Sequence, residues 1–270
     1  MATLTVSEGK KVYYESYKGS RLTVVLIHGW GMSGRVWDRT LVTLRVEGYG
    51  VVTFDHRGCG LSDKDFDVVG VGDLARDAAA IVETLGLNRV VLNGWSLGGA
   101  VAVEAAQLLG AKCAGLVLTC AASPRYAQAP DFPHGATHDS VKAIVAALSA
   151  NRPAFLRGIA NATCAGKFDP AVVEWLWSIF MQTGPSVDTA LLELLKVEQR
   201  AALASLDVPM LIFGGGSDDF VSIDIVRSAA KLARDARLVV YDNCGHLPFI
   251  EEAEKYHAEL LSYLSVIAAR

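Results

Sequence analysis

The sequence predicts an α/β protein: a mostly parallel central sheet flanked by helices, with an inserted helical cap. Continuous runs of apolar residues, typical of strands buried on both faces of a parallel sheet, recur along the chain. They are LTVVLI (22–27), VVTF (51–54), RVVL (89–92), AGLVLT (114–119), PMLIF (209–213) and RLVVY (237–241). Helical patterns separate several of these runs, and alternating strands and helices form parallel sheets with right-handed crossovers.

Individual elements follow from local spacing. Leu74, Ala78, Ile81 and Leu85 repeat at the helical period, and Gly86 stands where a helix ends. The same period recurs from Tyr256 to Leu264 near the end of the chain. The opening segment KKVYYESYKGS (10–20) alternates weakly, which predicts an antiparallel edge strand.

A long segment without strand patterns interrupts the sheet between Thr119 and Pro209. Asp139 or Ser140 is suited to cap a helix over VKAIVAALSA, and Asp169-Pro170 is suited to start one over AVVEWLWSIFMQ. The stretch SVDTALLELLKVEQRAALASL (186–206) predicts one further long helix. We therefore expect a core of residues 1–122 and 207–270 and a helical cap of residues 123–206.

Composition excludes several classes of function. A net charge of −4 and a pI near 5.9 argue against nucleic-acid binding, and an apolar fraction of 51% is enough for a sizeable core. No window of 18 apolar residues and no secretory signal is present, so we expect a cytoplasmic protein without membrane contact. Five cysteines lack metal-ligand or C-x-x-C spacing, which favours reduced thiols: Cys59, Cys113, Cys120, Cys164 and Cys244.

The distinctive polar and glycine-rich stretches follow the predicted strands. They are HGWGMSGRVWD, DHRGCGLSD, GWSLGG, GGGSDDFVS and DNCGHLPFIEE. The carboxyl ends of parallel strands meet at one edge of an open sheet, where ligands bind. The sequence therefore predicts one functional site at that edge.

GWSLGG places Ser96 between glycines at the end of a strand. The pattern fits a nucleophile on a sharp turn, and it also fits a serine that caps the following helix. A serine hydroxyl becomes a useful nucleophile only beside a base such as an imidazole, which a carboxylate must orient. His246 and either Asp218 or Asp219 follow in the order expected for such a set.

With these five motifs in order, the chain resembles the α/β-hydrolase superfamily from about residue 10 to the end. The resemblance implies that Ser96 is the nucleophile, His246 the general base and Asp218 the acid, because the family pattern G-x-x-D-x-x-V selects Asp218 over Asp219. It also implies that the backbone N–H groups of Trp30 and Leu97 form the oxyanion hole.

The other histidines have plainer interpretations. We expect His28 to orient its own loop, and His56 and His257 to be ordinary turn and surface residues. His134 and His138 lie near Asp139, but Gly135 and Pro133 argue against a regular metal-binding face. The implied chemistry requires neither a metal nor a cofactor.

Serine at the turn argues against dehalogenase and common epoxide hydrolase chemistry, since those relatives carry aspartate there. We expect carboxylic ester hydrolysis through an acyl-enzyme. HGWGMSGRVW, NGWSLGGAVA and SPRYAQAPDFPHG are most similar to the methyl ester esterases that act on pimeloyl-acyl carrier protein in biotin synthesis. A carbon–carbon bond hydrolase with the same triad and a ligand-sensing protein without catalysis stay open as alternatives.

Substrate contacts are the least specific prediction. We take Trp95, Arg125, Trp175 and Trp177 as candidates. Phe180 and Met181 continue the helical spacing of the two cap tryptophans, and all four are also consistent with cap packing. Residues 123–168 carry an excess of positive charge, to which Arg125, Lys142, Arg152, Arg157 and Lys167 contribute, and residues 169–206 carry an excess of negative charge. A basic half-cap is suited to dock an acidic carrier protein, and it is also consistent with a solvated face.

Overall fold

The computed structural model describes residues 2–166 and 168–270, and of Glu8 only the backbone. Its sheet has the order β1-β2-β4-β3-β5-β6-β7-β8. The strands are β1 (Ala2–Thr5), β2 (Lys11–Tyr17), β3 (Thr23–Ile27), β4 (Gly50–Phe54), β5 (Val90–Trp95), β6 (Cys113–Thr119), β7 (Met210–Gly215) and β8 (Ala236–Tyr241). From β4 to β8 all neighbouring strands are parallel. The predicted fold class is confirmed.

Helices connect the strands and follow them. They are α1 (Asp38–Val46), α2 (Val71–Thr84), α3 (Leu97–Leu109), α4 (His138–Ala162), α5 (Pro170–Phe180), α6 (Val187–Leu194), α7 (Arg200–Ser205), α8 (Ile223–Leu232), α9 (Pro248–Glu251) and α10 (Ala253–Ala269). α2 ends as its spacing predicts, because Gly86 takes the left-handed φ of 62° just beyond it.

The segment of residues 10–20 forms one antiparallel strand, β2, and a second strand, β1, precedes it in the chain. β2 pairs antiparallel with β4, and Tyr14 lies opposite Phe54. β1 then pairs antiparallel with β2 and is the true edge strand. The expected edge was wrong in this respect, because Ala2–Thr5 is too short to show an alternating pattern.

Side chains of the parallel strands alternate between two hydrophobic clusters, one on each face of the sheet. Val25 and Ile27 of β3 join the cluster that contains α2, α3 and α8. Val24 and Leu26 join the cluster that contains α1 and α10. Burial on both faces explains why these strands read as continuous apolar runs.

Helices α4 to α7 lie in the segment between β6 and β7, which we call the cap segment (residues 123–206). Asp169 caps α5 as predicted, accepting a hydrogen bond from the Ala171 N–H at 2.8 Å. The cap of α4 is Thr137, two residues before Asp139 and three before Ser140, so the predicted cap was wrong. Its helix is kinked at Asn151, two residues before Pro153.

The predicted long helix over 186–206 was wrong: it is divided into α6 and α7. At the break, the buried Gln199 donates its backbone N–H to the Pro124 carbonyl and its side-chain amide to the Ala100 carbonyl, both at 2.8 Å. Contacts with distant residues therefore override the local preference for a continuous helix.

Both hydrophobic clusters include residues of the cap segment, such as Leu194 in one and Leu156 in the other. The cap segment thus packs directly on the core, and the division into 1–122 with 207–270 and 123–206 stays a proposal. All five cysteines are buried and unpaired. None of the helices within 2–166 and 168–270 combines the length and apolarity needed to cross a bilayer.

Candidate active site

Ser96 stands on a sharp turn between β5 and α3. Its φ of 56° and ψ of −122° are unusual for a residue with a side chain. Its carbonyl accepts hydrogen bonds from the N–H groups of Gly99 and Ala122, both at 2.9 Å, and its own N–H donates to the Thr119 carbonyl at 3.0 Å. The backbone around the serine is therefore held in this conformation by three hydrogen bonds.

Glycines make this turn possible. A Cβ on Gly94 would fall within 3.0 Å of the Gly98 carbonyl, and a Cβ on Gly98 would approach the Ile27 and His28 carbonyls as closely. The backbones of the turn, α3 and the loop after β3 are thus packed too tightly for any larger residue.

His246 is oriented by Asp218. The two side chains meet at 2.7 Å between Nδ1 and Oδ2, and the Asp218 side chain is fully shielded from solvent. Because a carboxylate only accepts, Nδ1 carries the proton and leaves Nε2 free to act as a base. Asp218 also accepts from the N–H groups of Phe220 and Val221, whereas Asp219 is exposed.

Ser96 and His246 line the same cavity. Among the residues that the structure describes, the Ser96 hydroxyl makes no hydrogen bond, so it is free to meet a substrate or the imidazole. Catalytic hydrogen bonds of this kind often tighten only when a substrate is bound.

The proposed oxyanion-hole residues line this cavity too. Neither the Trp30 nor the Leu97 backbone N–H donates a hydrogen bond to any residue within 2–166 and 168–270, and Leu97 is the first residue of α3. Two unengaged N–H groups beside a serine are suited to receive a negatively charged oxygen.

Two buried histidines hold the loop that carries Trp30. His28 donates from Nδ1 to the Gly29 carbonyl at 2.7 Å and accepts the His56 N–H at Nε2 at 2.9 Å, as expected for a residue that orients its own loop. His56 donates in return from Nε2 to the His28 carbonyl at 2.9 Å. Burial lowers the pKa of both imidazoles, that of His56 to about 4, so both stay neutral.

The interpretation of His257 as a surface residue was wrong, whereas His56 begins a turn as expected, its carbonyl accepting the Cys59 N–H at 2.9 Å, but it is buried. His56 is 2% exposed and His257 is 6% exposed, with its Nε2 3.0 Å from the Thr40 hydroxyl. Each histidine finds its partner across the fold, which local sequence does not reveal.

The cavity is mainly apolar and opens to solvent. The sheet side contributes Trp30, Trp95, Ser96, Leu97, Phe220, Val221 and His246. The cap segment contributes Tyr126, Ile144, Ile159, Thr163, Phe180, Leu191 and Leu194. Among the described residues, no lysine, arginine, aspartate or glutamate side chain lines the cavity.

Of the four candidate substrate contacts, Trp95 alone lines this cavity. Its indole N–H donates to the His246 carbonyl at 2.8 Å, so it also supports the loop that carries His246. Arg125 instead pairs with Glu198 at 2.8 Å, and the Trp177 indole donates to the Pro153 carbonyl at 3.0 Å. Trp175 packs among the hydrophobic residues around the cap.

Arg125, Trp175 and Trp177 thus lie outside the lining of this cavity. Phe180, which shares α5 with the two tryptophans, faces the cavity in their place. Helical spacing identified the apolar positions of α5, but the way α5 packs decides which of them faces the site.

The profile of the alpha/beta hydrolase family matches residues 24–259. The chain belongs to this family. Among its relatives, a non-heme haloperoxidase from Rhodococcus erythropolis is 30% identical over 98% of this chain and 99% of its own. A pimeloyl-[acyl-carrier protein] methyl ester esterase from Vibrio cholerae is 29% identical over 93% and 97%.

The fold of the hydrolase agrees closely with solved structures. An esterase from Exiguobacterium antarcticum superposes with a TM-score of 0.93 at 26% identity, over 97% of this chain and 98% of that chain. The names of these relatives state different reactions, so the similarity by itself supports a hydrolase and no particular ester.

Sequence reasoning missed Tyr126, whose phenol ring lines the cavity from the cap side. Burial raises the pKa of this phenol, and the nearby Asp218 charge raises it further, so the phenol keeps its proton. Neither spacing nor a motif distinguishes Tyr126 from other aromatic residues.

The sequence predicts Cys120 only as a reduced thiol. In the structure it lies beside the Asp218–His246 pair. Its Sγ, one Asp218 oxygen and one His246 nitrogen lie within 4.8 Å of one another. Burial raises the pKa of this thiol well above its usual value, which opposes the thiolate that a metal ion would need. The hydrogen bonds of Asp218 also occupy both of its oxygens. This group is better explained as packing around the acid than as a metal site.

Proposed function

We propose that this hydrolase cleaves carboxylic esters through an acyl-enzyme formed on Ser96. The observation that carries the proposal is the 2.7 Å contact of His246 with Asp218 beside a serine in one apolar cavity. Nucleophile, base and orienting acid form the set that acyl transfer requires.

In the proposed first half-reaction, Ser96 Oγ attacks the ester carbonyl carbon while His246 Nε2 takes the hydroxyl proton. Asp218 holds Nδ1–H and stabilises the imidazolium that forms. The N–H groups of Trp30 and Leu97 receive the negative charge on the carbonyl oxygen. His246 then returns the proton to the departing alcohol.

In the second half-reaction, water attacks the acyl group on Ser96. His246 accepts a proton from that water and gives it back to Ser96 Oγ as the acid leaves. The same three side chains therefore serve both steps, and neither step requires a metal or a cofactor.

The lining of the cavity favours esters whose buried part is uncharged. Phe180, Leu191 and Leu194 offer hydrocarbon contacts, and within 2–166 and 168–270 no lysine or arginine lines the cavity to compensate a carboxylate. Burying an unpaired charge in such surroundings is costly. We therefore propose neutral aliphatic or aromatic esters as the substrate class.

The narrower proposal is the methyl ester of pimeloyl-acyl carrier protein. The similarity to the Vibrio cholerae esterase and the neutral cavity support it. Docking of the acidic carrier on the basic half-cap has less support, because arginines of this half pair with acids of the other half. Arg152 binds Asp188, Arg157 binds Glu174 and Arg125 binds Glu198, while Lys167 lies outside the described residues.

The test is hydrolysis of 4-nitrophenyl esters by Ser96→Ala and Asp218→Asn, with Asp219→Asn as the matched control. We expect Ser96→Ala to lose about three or more orders of magnitude in kcat, since the nucleophile and its acyl-enzyme are removed. Asp218→Asn should also lose most activity, and Asp219→Asn should keep it. Parental activity in Ser96→Ala would refute the proposal.

The substrate range then separates the remaining alternatives. A series of acyl lengths, with a methyl pimeloyl-carrier ester beside it, measures which ester the cavity prefers. Cleavage of a vinylogous diketone with no ester turnover would favour the carbon–carbon bond hydrolase. Ligand binding without turnover of either class would favour the sensor.

A further inference from the structure

A carboxylate outside the proposed triad anchors the loop that carries His246. Glu251, the last residue of α9, accepts the Leu247 N–H at Oε1 at 3.0 Å. Its Oε2 accepts the Gly245 N–H at 3.0 Å. The residues on both sides of His246 thus donate to the same side chain.

The third donor to Glu251 comes from the cap segment. Oε2 also accepts the Ala165 N–H, at 2.7 Å, from the loop that follows α4. In the same loop, the Thr163 carbonyl accepts the His246 N–H at 2.9 Å. A Cβ on Gly245 would fall within 3.0 Å of the Ala165 nitrogen, so the two loops are in direct backbone contact.

Backbone N–H groups are the main partners of this carboxylate. Within the described part of the chain, no lysine or arginine forms an ion pair with Glu251. Hydrogen bonds from N–H groups to an ionised carboxylate are about twice as strong as neutral ones. The neighbouring Cys164 is buried. Its burial, and to a smaller extent the Glu251 charge, raises the pKa of its thiol to about 12.

We propose that Glu251 is a positioning residue that fixes the His246 loop against the loop of residues 163–166 in the cap segment. It acts through His246, and it does not line the cavity itself. The inference rests on the proposed role of His246 as the base. It follows that the cap segment is part of the catalytic framework as well as a cover for the cavity.

The test compares Glu251→Gln with Glu252→Gln. Glutamine keeps the size of the side chain but directs an amide NH₂ at backbone donors. Glu252 is adjacent and instead binds the Lys255 ammonium at 2.7 Å. We expect kcat for a 4-nitrophenyl ester to fall about 10- to 100-fold in Glu251→Gln with KM nearly unchanged, because misplacing a catalytic group by about 1 Å has effects of this size. Glu252→Gln should match the parent, and Glu251→Asp should recover part of the loss.

Two NMR measurements detect positioning directly. In Glu251→Gln the amides of Ala165, Gly245 and Leu247 should exchange faster with solvent. The low-field proton signal of the His246–Asp218 hydrogen bond should also broaden. Both signals should be parental in Glu252→Gln.

The outcomes are separable. If Ser96→Ala stays active, the proposed function fails. If Ser96→Ala is inactive while Glu251→Gln keeps the parental kcat and exchange rates, only the role of Glu251 fails. If Glu251→Gln does not fold, exchange in the parent decides: slow exchange of the three amides supports the anchor, and fast exchange overturns it.

Discussion

Ser96 carries backbone strain of about 1–3 kcal/mol because its φ is positive without the freedom of glycine. The close packing of Gly98 against the backbone of Ile27 and His28 holds the turn in this strained conformation. Such strain is typical of functional turns, since it lifts one side chain out of the packed layer towards the ligand. At this scale the glycines around the serine matter as much as the serine.

Gly98→Ala should therefore destabilise the protein by about 3 kcal/mol, since the added methyl group meets carbonyls that cannot move aside. Ester hydrolysis should fall with it, because the turn shifts. Gly158→Ala is the matched control: it lies in α4 with open space around it, and we expect about 0.5–1 kcal/mol of stabilisation. Urea unfolding measures both, and equal stabilities would contradict the packing argument.

Between elements, a buried ion pair ties the loop after β4 to α2. Arg57 donates from Nε and Nη2 to the two Asp77 oxygens at 2.6 and 2.7 Å, and both side chains are at least nine-tenths buried. Burial raises the pKa of Asp77, while the Arg57 hydrogen bonds oppose that rise. Removing Asp77 takes the two-oxygen carboxylate partner from the buried Arg57 guanidinium, while the Ser7 hydroxyl at 3.1 Å and the Asp73 carboxylate at 3.9 Å remain beside it.

Asp77→Ala should thus lower the free energy of unfolding by about 1.5–3 kcal/mol, the range for losing hydrogen bonds to a charged group. Replacing both partners with apolar residues, as in Arg57→Met with Asp77→Leu, should cost less than the single change. Asp67→Ala, an exposed change in the same loop region, should stay within about 0.5 kcal/mol of the parent. Urea unfolding of the four proteins provides the measurement, and a mild effect of Asp77→Ala would contradict this account.

Across the whole molecule, three neutral histidines make folding sensitive to acid. His28 and His56 bond each other beneath the loop that carries Trp30, His257 lies beside Thr40, and burial lowers the pKa of each. Their unfolded pKa is near 6.5, so below that pH the unfolded chain binds protons that the folded protein does not. The contribution of these histidines to the free energy of unfolding is therefore nearly constant above about pH 6.5, and it falls as the pH decreases towards 4.

His257 offers a quantitative check, since burial and then the Arg39 charge lower its pKa to about 4. Between pH 7 and 5 this group alone should cost about 2 kcal/mol of the free energy of unfolding. His257→Gln retains a side chain able to bond the Thr40 hydroxyl and cannot take up the proton. The fall in stability between the two pH values should be smaller in this variant by about that amount, and an unchanged fall would rule out His257 as a contributor.

The features that could be predicted from the sequence are those set by residues close together in the chain. Continuous apolar runs identified the six parallel strands from β3 to β8. For β3 to β7 the reason is burial on both faces of the sheet, which leaves a pattern within five or six neighbouring residues. The edge strand β8 is partly exposed and shows an apolar run all the same. Glycine spacing around Ser96 and the order Ser96, Asp218, His246 identified the candidate site, since a sharp turn has local steric requirements. A capping pair, Asp169-Pro170, located the start of α5 for the same reason.

What only the tertiary structure decided involves partners far apart in the chain. Ala165 and Glu251 meet across 86 positions, and Gln199 divides a predicted helix by bonding Ala100. Phe180 of α5 faces the cavity and Trp177 faces Pro153, and this arrangement depends on how α5 packs against its neighbours. Local spacing states which residues share a face, whereas the packing of all elements together determines what that face touches.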